Sequence, residues 1–88
     1  MRVGQDPDEV DRLGADLGAA AGTLQSLRQE VSGLMGGTTW SGPDRDRFES
    51  EWSGPTASLI SRASEALEEA SRAASASAQR QRVASGTA

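Results

Sequence analysis

The stretch Thr38-Thr39-Trp40-Ser41-Gly42-Pro43-Asp44 decides the fold, because it holds the tightest turn signal in the chain. Gly36-Gly37 comes directly before it, and glycine there is typical of the left-handed cap that ends a helix. Ser41 or Gly42 suits the N-cap of a second helix, and Pro43 suits the first turn of that helix. We therefore expect a corner at this stretch, with one helix on each side.

The residues before the corner have the period of one long helix. Asp6 suits its N-cap and Pro7 its first helical position. Apolar residues then recur at alternating spacings of three and four, which is a heptad seam. Its members are Val10, Leu13, Leu17, Ala20, Leu24, Leu27, Val31 and Leu34. The pattern predicts a helix over residues 7–35 and a turn over residues 36–42.

The residues after the corner predict a second helix over residues 43–82. Phe48 and Trp52 are spaced i, i+4, so they share one helix face, which we expect to form the widest part of the core. Gly54-Pro55 predicts a kink, because proline removes a backbone hydrogen bond and clashes one turn back. The seam then resumes at Ile60, Ala63, Leu67, Ala70 and Ala74. We expect residues 83–88 to be a disordered tail, because the first helix is too short to partner them.

The two seams predict an all-α fold, a single antiparallel two-helix hairpin over residues 1–88. The predicted hairpin core is Val10, Leu13, Leu17, Leu24, Leu27, Val31, Leu34, Phe48, Trp52, Ile60 and Leu67. Only 35% of the 88 residues are hydrophobic, and small chains bury proportionally little surface. We therefore expect two hairpins to pair into a four-helix bundle dimer.

Three glycines and one tryptophan each have two interpretations. Gly14, Gly18 and Gly22 recur every four residues in the first helix. They are either tolerated composition or a close-contact face, such as a dimer face, where another helix approaches. Trp40 is either a plug for the open end of the hairpin or a partner-binding anchor, and both can hold at once. Gly42, without a side chain, would let Trp40 fold back against the neighbouring helix.

Composition excludes several classes of function. The chain has no Cys and no His, so it lacks the common catalytic bases and metal ligands, and we expect no enzyme, cofactor or metal. Its net charge of −4, without a basic stripe, argues against nucleic acid. No apolar run reaches the roughly 18 residues of a membrane span. The acidic, small outer faces also differ from those of interfacial helices, so we expect no membrane association.

The corner resembles the WXG family of type VII secretion helical hairpins, which are related to the early secreted antigenic target. The resemblance lies in Trp40-Ser41-Gly42, in Pro43-Asp44, in Phe48 and in Trp52 four residues later. This extended form is similar to the actinobacterial branch of the family. The length of the chain, the central position of the motif and the flanking heptads agree with the resemblance over residues 6–82.

The resemblance implies a substrate or adaptor of type VII secretion, with Trp40, Ser41 and Gly42 as the export and turn motif. It implies a homodimer or a heterodimer with another WXG-type chain, recognised by the secretion ATPase. We expect synthesis in the cytoplasm and secretion without a cleavable signal peptide. The family also has a Tyr-x-x-x-Asp/Glu motif after the second helix, and this chain contains no Tyr. The alternative is therefore a helical partner or chaperone of a larger secreted effector, itself retained in the cytoplasm.

Overall fold

The computed structural model of the protein describes residues 6–86 as a helical hairpin. Helix α1 spans Pro7–Gly37, α2 spans Pro43–Glu51, a π-helical segment spans Trp52–Thr56, and α3 spans Ala57–Ala84. The backbone stays helical through the π segment, so α2 and α3 form one rod. α1 packs antiparallel along α3 in a molecule of 64 × 19 × 18 Å. The described residues form no strand, which confirms the prediction of an all-α hairpin.

The two ends of α1 differ in how well they follow the sequence signals. At its start, the Asp6 side chain accepts a hydrogen bond from the Asp8 backbone N–H at 2.9 Å, as expected of an N-cap. At its end, the predicted left-handed glycine cap is wrong, because Gly36 and Gly37 do not have positive φ. The helix instead stops at Thr38, which is extended, and the Thr38 hydroxyl donates to the Leu34 carbonyl at 2.7 Å. This bond satisfies a carbonyl of the last turn.

The predicted kink near residues 54–55 takes the form of the π segment. The Ala57 N–H bonds to the Trp52 carbonyl, five residues back, so this turn holds one residue more than an α-helical turn. Ile60 and Leu67 lie seven residues apart on one face of α3. Seven residues before Ile60 is residue 53, but the large apolar side chain nearest to that position is Trp52, one residue earlier. The extra residue therefore brings Trp52 into phase with the apolar line of α3.

Small residues form the interface between α1 and α3. The buried residues are Gly14, Ala21, Ser64 and Ala78. The Ser64 hydroxyl donates to the Ala21 carbonyl at 3.1 Å, and the Ser71 hydroxyl donates to the Gly14 carbonyl at 2.6 Å. Side-chain hydroxyls reach the backbone of the facing helix only where the two helices lie close together. The hairpin is therefore held by close backbone approach and by serine hydrogen bonds.

The predicted leucine core is only partly inside the hairpin. Leu13, Leu27 and Leu34 are 53%, 48% and 63% exposed, so their assignment to the hairpin core is wrong. The physical reason is that α1 contacts α3 through the next position along the chain, as at Gly14 and Ala21, and one residue is about 100° of helix rotation. The remaining aliphatic members of the predicted core are half-buried: Val10, Leu17, Leu24, Val31, Ile60 and Leu67.

The C-terminal end of α3 extends further than expected. The helix continues to Ala84, so a disordered tail beginning at residue 83 is wrong. Arg82 pairs with Asp8 at 2.9 Å and with Asp11 at 2.7 Å, which ties the end of α3 to the start of α1. Residues 87–88, and the N-terminal residues 1–5, lie outside the described part of the chain.

Candidate functional site

The corner between α1 and α2 is an extended segment that ends in a glycine with an unusual backbone. Gly42 has φ 113° and ψ −179°, a combination that residues with a side chain rarely adopt. Its carbonyl accepts from the Asp46 N–H at 3.1 Å, which is the first bond of α2. A Cβ at this position would have no atom within 4 Å, so space for Trp40 is not the reason for the glycine. The backbone angle requires it.

Three aromatic rings follow one another beside this corner. Trp40 and Phe48 have ring centroids 6.0 Å apart, and Phe48 and Trp52 have centroids 6.3 Å apart with planes only 11° from parallel. Trp40 is 43% exposed and Phe48 is 40% exposed, so Phe48 is not in the hairpin core and the prediction for it is wrong. Trp52 is half-buried and its indole Nε1 donates to the Ser32 hydroxyl at 3.2 Å.

Two of the three repeated glycines lie against the other helix of the same chain. A Cβ built on Gly14 would lie 3.1 Å from the Ser71 carbonyl oxygen, and one on Gly18 would lie 3.3 Å from the Ser71 hydroxyl. Gly22 has open space around its Cβ position. The close approach suggested by the sequence is therefore present at Gly14 and Gly18, where the neighbouring helix is α3 of the same chain.

Exposed apolar residues form a continuous line along α1. Leu13, Ala20, Leu27 and Leu34 recur every seven residues, and all four are exposed. Leu13 and Ala20 come one position before Gly14 and Ala21, which face α3. On α3, Ala63 and Ala70 stand in the same relation to Ser64 and Ser71 and are also exposed. An antiparallel helix pair has an approximate two-fold axis perpendicular to the plane of both helices, so equivalent positions lie on the same side. We call this surface the open face; it consists of Leu13, Ala20, Leu27, Leu34, Ala63 and Ala70.

The half-buried aliphatic residues form the floor of the open face. Val10, Leu17, Leu24 and Val31 on α1 and Ile60 and Leu67 on α3 lie between the exposed lines and the contact line. The only fully buried apolar residues among those described are Ala21 and Ala78. Most of the large aliphatic side chains therefore keep contact with water in the single chain. Covering this face would remove much of that contact with water. Removal of apolar surface from water is the main favourable term in protein association.

Sequence reasoning missed the polar contacts that hold the hairpin together. Ser64 and Ser71 carry no periodic apolar signal, yet they supply the cross-helix hydrogen bonds. Their spacing of seven residues, opposite a glycine- and alanine-rich helix, is the signal that could have found them. The apolar pattern also gave no sign of the contacts of Arg82. Its guanidinium donates hydrogen bonds to the carboxylates of Asp8 and Asp11, which raise the pKa of Arg82 further above its ordinary value.

Three properties of the described residues bear on metal binding, on small-molecule binding and on membrane insertion. Residues 6–86 contain no group of three acidic side chains placed to hold a metal ion. A shallow groove lined by Arg28, Ser32, Trp52, Ser53 and Ala57 lies beside the π segment and opens widely to solvent. None of the described helices combines the length and the apolar character needed to cross a membrane.

No family model, curated protein or solved structure matches this chain. Its function must therefore be inferred from its own residues, which present an aromatic corner and an open apolar face.

Proposed function

We propose that this protein is a WXG-type helical hairpin that acts as a substrate or adaptor of type VII secretion and works as a dimer. One observation carries the proposal: a Trp-x-Gly sequence stands at the corner of an antiparallel hairpin, and its glycine has a φ of 113°. A motif whose glycine is required by the backbone angle, and whose tryptophan is 43% exposed, suits recognition at a fixed position.

The open face supports pairing with a second hairpin. A single chain leaves Leu13, Leu27 and Leu34 about half exposed or more, while its own helices meet through small residues. A second hairpin laid on the open face would bury both the exposed leucines and the half-buried floor, giving a four-helix bundle. In that bundle the leucine stripes would face the bundle axis.

The exposed ring of Trp40 supports recognition at the corner. Trp40 packs against Phe48 on one side and leaves 43% of its surface to solvent. Large rings held in place by a neighbour are frequent binding hot spots, because little conformational entropy is lost on binding. In the proposed complex this ring contacts the secretion ATPase or the end of the paired chain.

The second candidate function is a cytoplasmic partner or chaperone of a larger secreted effector. The absence of Tyr from the sequence favours it, because the family's tail signal needs a tyrosine. The same open face would serve here, since the effector's helical domain would cover it. In this case the chain stays in the cell while its partner leaves.

An export assay in the producing cell tests the proposal and separates it from the alternative. We expect the protein in the culture medium of the parent strain and only in the cytosol when the secretion ATPase gene is deleted. Leu27→Gln should reduce export, because it places an amide in the paired face. Val83→Gln, at an apolar residue that is 60% exposed outside that face, is the matched control and should be exported normally. Retention of the parent protein in the cytosol of both strains would support the chaperone function instead.

A further inference from the structure

A row of carboxylates borders the open face along α1. Glu9, Asp16 and Glu30 occupy every-seventh positions, with Thr23 completing the row, and all four residues are exposed. Asp16, Thr23 and Glu30 come three residues after Leu13, Ala20 and Leu27, so each lies beside its leucine or alanine on the helix surface. We call Glu9, Asp16 and Glu30 the acidic rim.

The carboxylates of the acidic rim form no ion pair within the described part of the hairpin. Among the ion pairs of residues 6–86, none includes Glu9, Asp16 or Glu30. Of the two arginines of α1, Arg28 falls on the line that faces α3. Arg12 follows Glu9 by three residues and precedes Asp16 by four, so it lies beside both, on the side of the rim away from the open face. The border of the open face on α1 therefore carries a net negative charge, since its three carboxylates have only the guanidinium of Arg12 beside them.

Two copies of the chain can pair through their open faces in two symmetric arrangements. The negative charge of the acidic rim disfavours the first of them. In this arrangement the corners of the two copies lie at opposite ends of the dimer, and α1 packs antiparallel on α1 of the second copy. The row from Leu13 to Leu34 then packs against the same row of the second copy, centred on its midpoint. Leu13 then faces Leu34 of the second copy, and Asp16 falls beside Glu30 of the second copy. Like charges placed face to face are unfavourable and act against the wrong partner.

The other symmetric arrangement gives the rim no cations either, apart from one position. In this arrangement the corners of both copies lie at the same end of the dimer, and α1 packs on α3 of the second copy. The hairpin register places residue 14 opposite 71 and residue 21 opposite 64. Asp16 would then lie near Ala66 and Ala73, and Glu30 near Leu59, so two carboxylates would be desolvated against apolar groups. Only Glu9 would approach a cation, Arg80.

We infer that the occupant of the open face is a different chain, a helical hairpin whose own apolar face is bordered by Lys or Arg at heptad positions. This rests on the proposed function and names the chemistry of the partner. Oppositely charged borders beside an apolar seam set partner choice in helical bundles, just as charged e and g positions do in coiled coils. The acidic rim thus favours a heterodimer over a homodimer.

A charge-swapped copy of the chain itself serves as the probe partner. The variant Glu9→Lys/Asp16→Lys/Glu30→Lys keeps the open face and reverses the rim, which moves the net charge from −4 to +2. The control variant Glu65→Lys/Glu68→Lys/Glu69→Lys has the same net charge. Glu65 comes one residue after buried Ser64, whereas Ala63 of the open face comes one before it, so the control charges lie on the other side of the hairpin.

Sedimentation equilibrium at low salt measures each protein alone and in equimolar mixtures. We expect the mixture of the parent chain with the rim variant to dimerise at least about tenfold more tightly than the parent chain alone, a difference of ~1.4 kcal/mol. Salt at ~0.5 M should remove most of this gain, and the control mixture should show none of it.

Two results would overturn the inference. If the parent chain alone dimerises as tightly as the mixture, the acidic rim does not select the partner, and the open face is used by two copies; the proposed function would survive. If neither the parent chain nor the mixture dimerises, the open face is not a pairing surface, and the dimer of the proposed function fails as well.

Discussion

Replacing Gly14 and Gly22 separately by alanine tests the central packing claim, that small residues bring the two helices close together. Both glycines lie inside α1, where alanine is favoured over glycine by about 1 kcal/mol. Gly22 has no atom within 4 Å of a built Cβ and is exposed, so Gly22→Ala should stabilise the protein by nearly that amount. It also lies one residue after Ala21, on the side away from the open face, so pairing should not respond.

Gly14→Ala has the same intrinsic gain but meets the facing helix. Its Cβ would lie 3.1 Å from both the Ser71 carbonyl oxygen and the Ser75 hydroxyl, and 3.4 Å from the Ala74 Cβ. The serine hydroxyl can rotate away, but the carbonyl belongs to the α3 backbone, so the helices must part and weaken the 2.6 Å bond from Ser71 to Gly14. Overpacking of this kind costs about 1–3 kcal/mol. The net effect is a destabilisation of about 0–2 kcal/mol.

The expected gap between the two variants is therefore about 1–3 kcal/mol, or on the order of 5–20 °C in Tm for a domain of this size. Thermal unfolding followed by circular dichroism measures it, with all proteins at one concentration because pairing shifts the apparent Tm. Gly18→Ala is the intermediate case, since its nearest neighbour at 3.3 Å is a rotatable hydroxyl. An equal rise in Tm for Gly14→Ala and Gly22→Ala would refute the claim that the helices are in close contact at Gly14.

Three further substitutions address the corner and the terminal ion pairs. Gly42→Ala should destabilise the hairpin by about 1–3 kcal/mol in chemical denaturation, because alanine is strained at φ 113°, whereas Ser41→Ala next to it should change stability little. Trp40→Ala should lower stability by about 0.5–1.5 kcal/mol, the value of an aromatic pair, because the ring is 43% exposed; a loss of 3 kcal/mol or more would show that the ring is part of a core. Arg82→Gln should accelerate amide hydrogen exchange in the last turns of α3 and reduce the salt dependence of that exchange, since the pairs with Asp8 and Asp11 are lost; unchanged exchange would mean that the last turns do not depend on these pairs.

The sequence predicted the starts of the helices well, because capping residues and helix-starting prolines have a specific local role. Asp6 and Pro7 placed the start of α1, and Pro43 placed the start of α2, because caps and helix-starting prolines act through the nearest turn of backbone. Gly36-Gly37 misled, because a glycine permits a left-handed cap without requiring one. The helix ran on until the Thr38 hydroxyl could bond the Leu34 carbonyl.

The register of the second helix could be predicted only in part. Gly54-Pro55 predicted an irregular turn. A break, a kink and an inserted residue are all compatible with a proline, which has no backbone N–H to donate, so the sequence did not select one of them. The distance from Trp52 to Ile60, eight residues in place of seven, was the evidence for an insertion. The π segment absorbs that extra residue, so the rod continues and Trp52 stays in phase with the apolar line of α3.

The error in the core has a more general cause, which also bears on function. A heptad stripe reports how wide and how regular an apolar surface is, but not which neighbour covers which part of it. When a helix packs against two neighbouring helices, the middle of its apolar stripe points between the two. The other helix of the same hairpin then contacts only one edge of the stripe. In α1 that edge is marked by Gly14, Gly18 and Ala21, while Leu13 and Leu27 stand on the other side of the stripe. The displacement of the contact line by one residue therefore does more than correct a prediction, because it leaves half of the stripe uncovered in the single chain. The large aliphatic side chains Leu13, Leu27 and Leu34 lie on this uncovered part. This is the reason for proposing that a second protein covers it and that the carboxylates beside it select that protein.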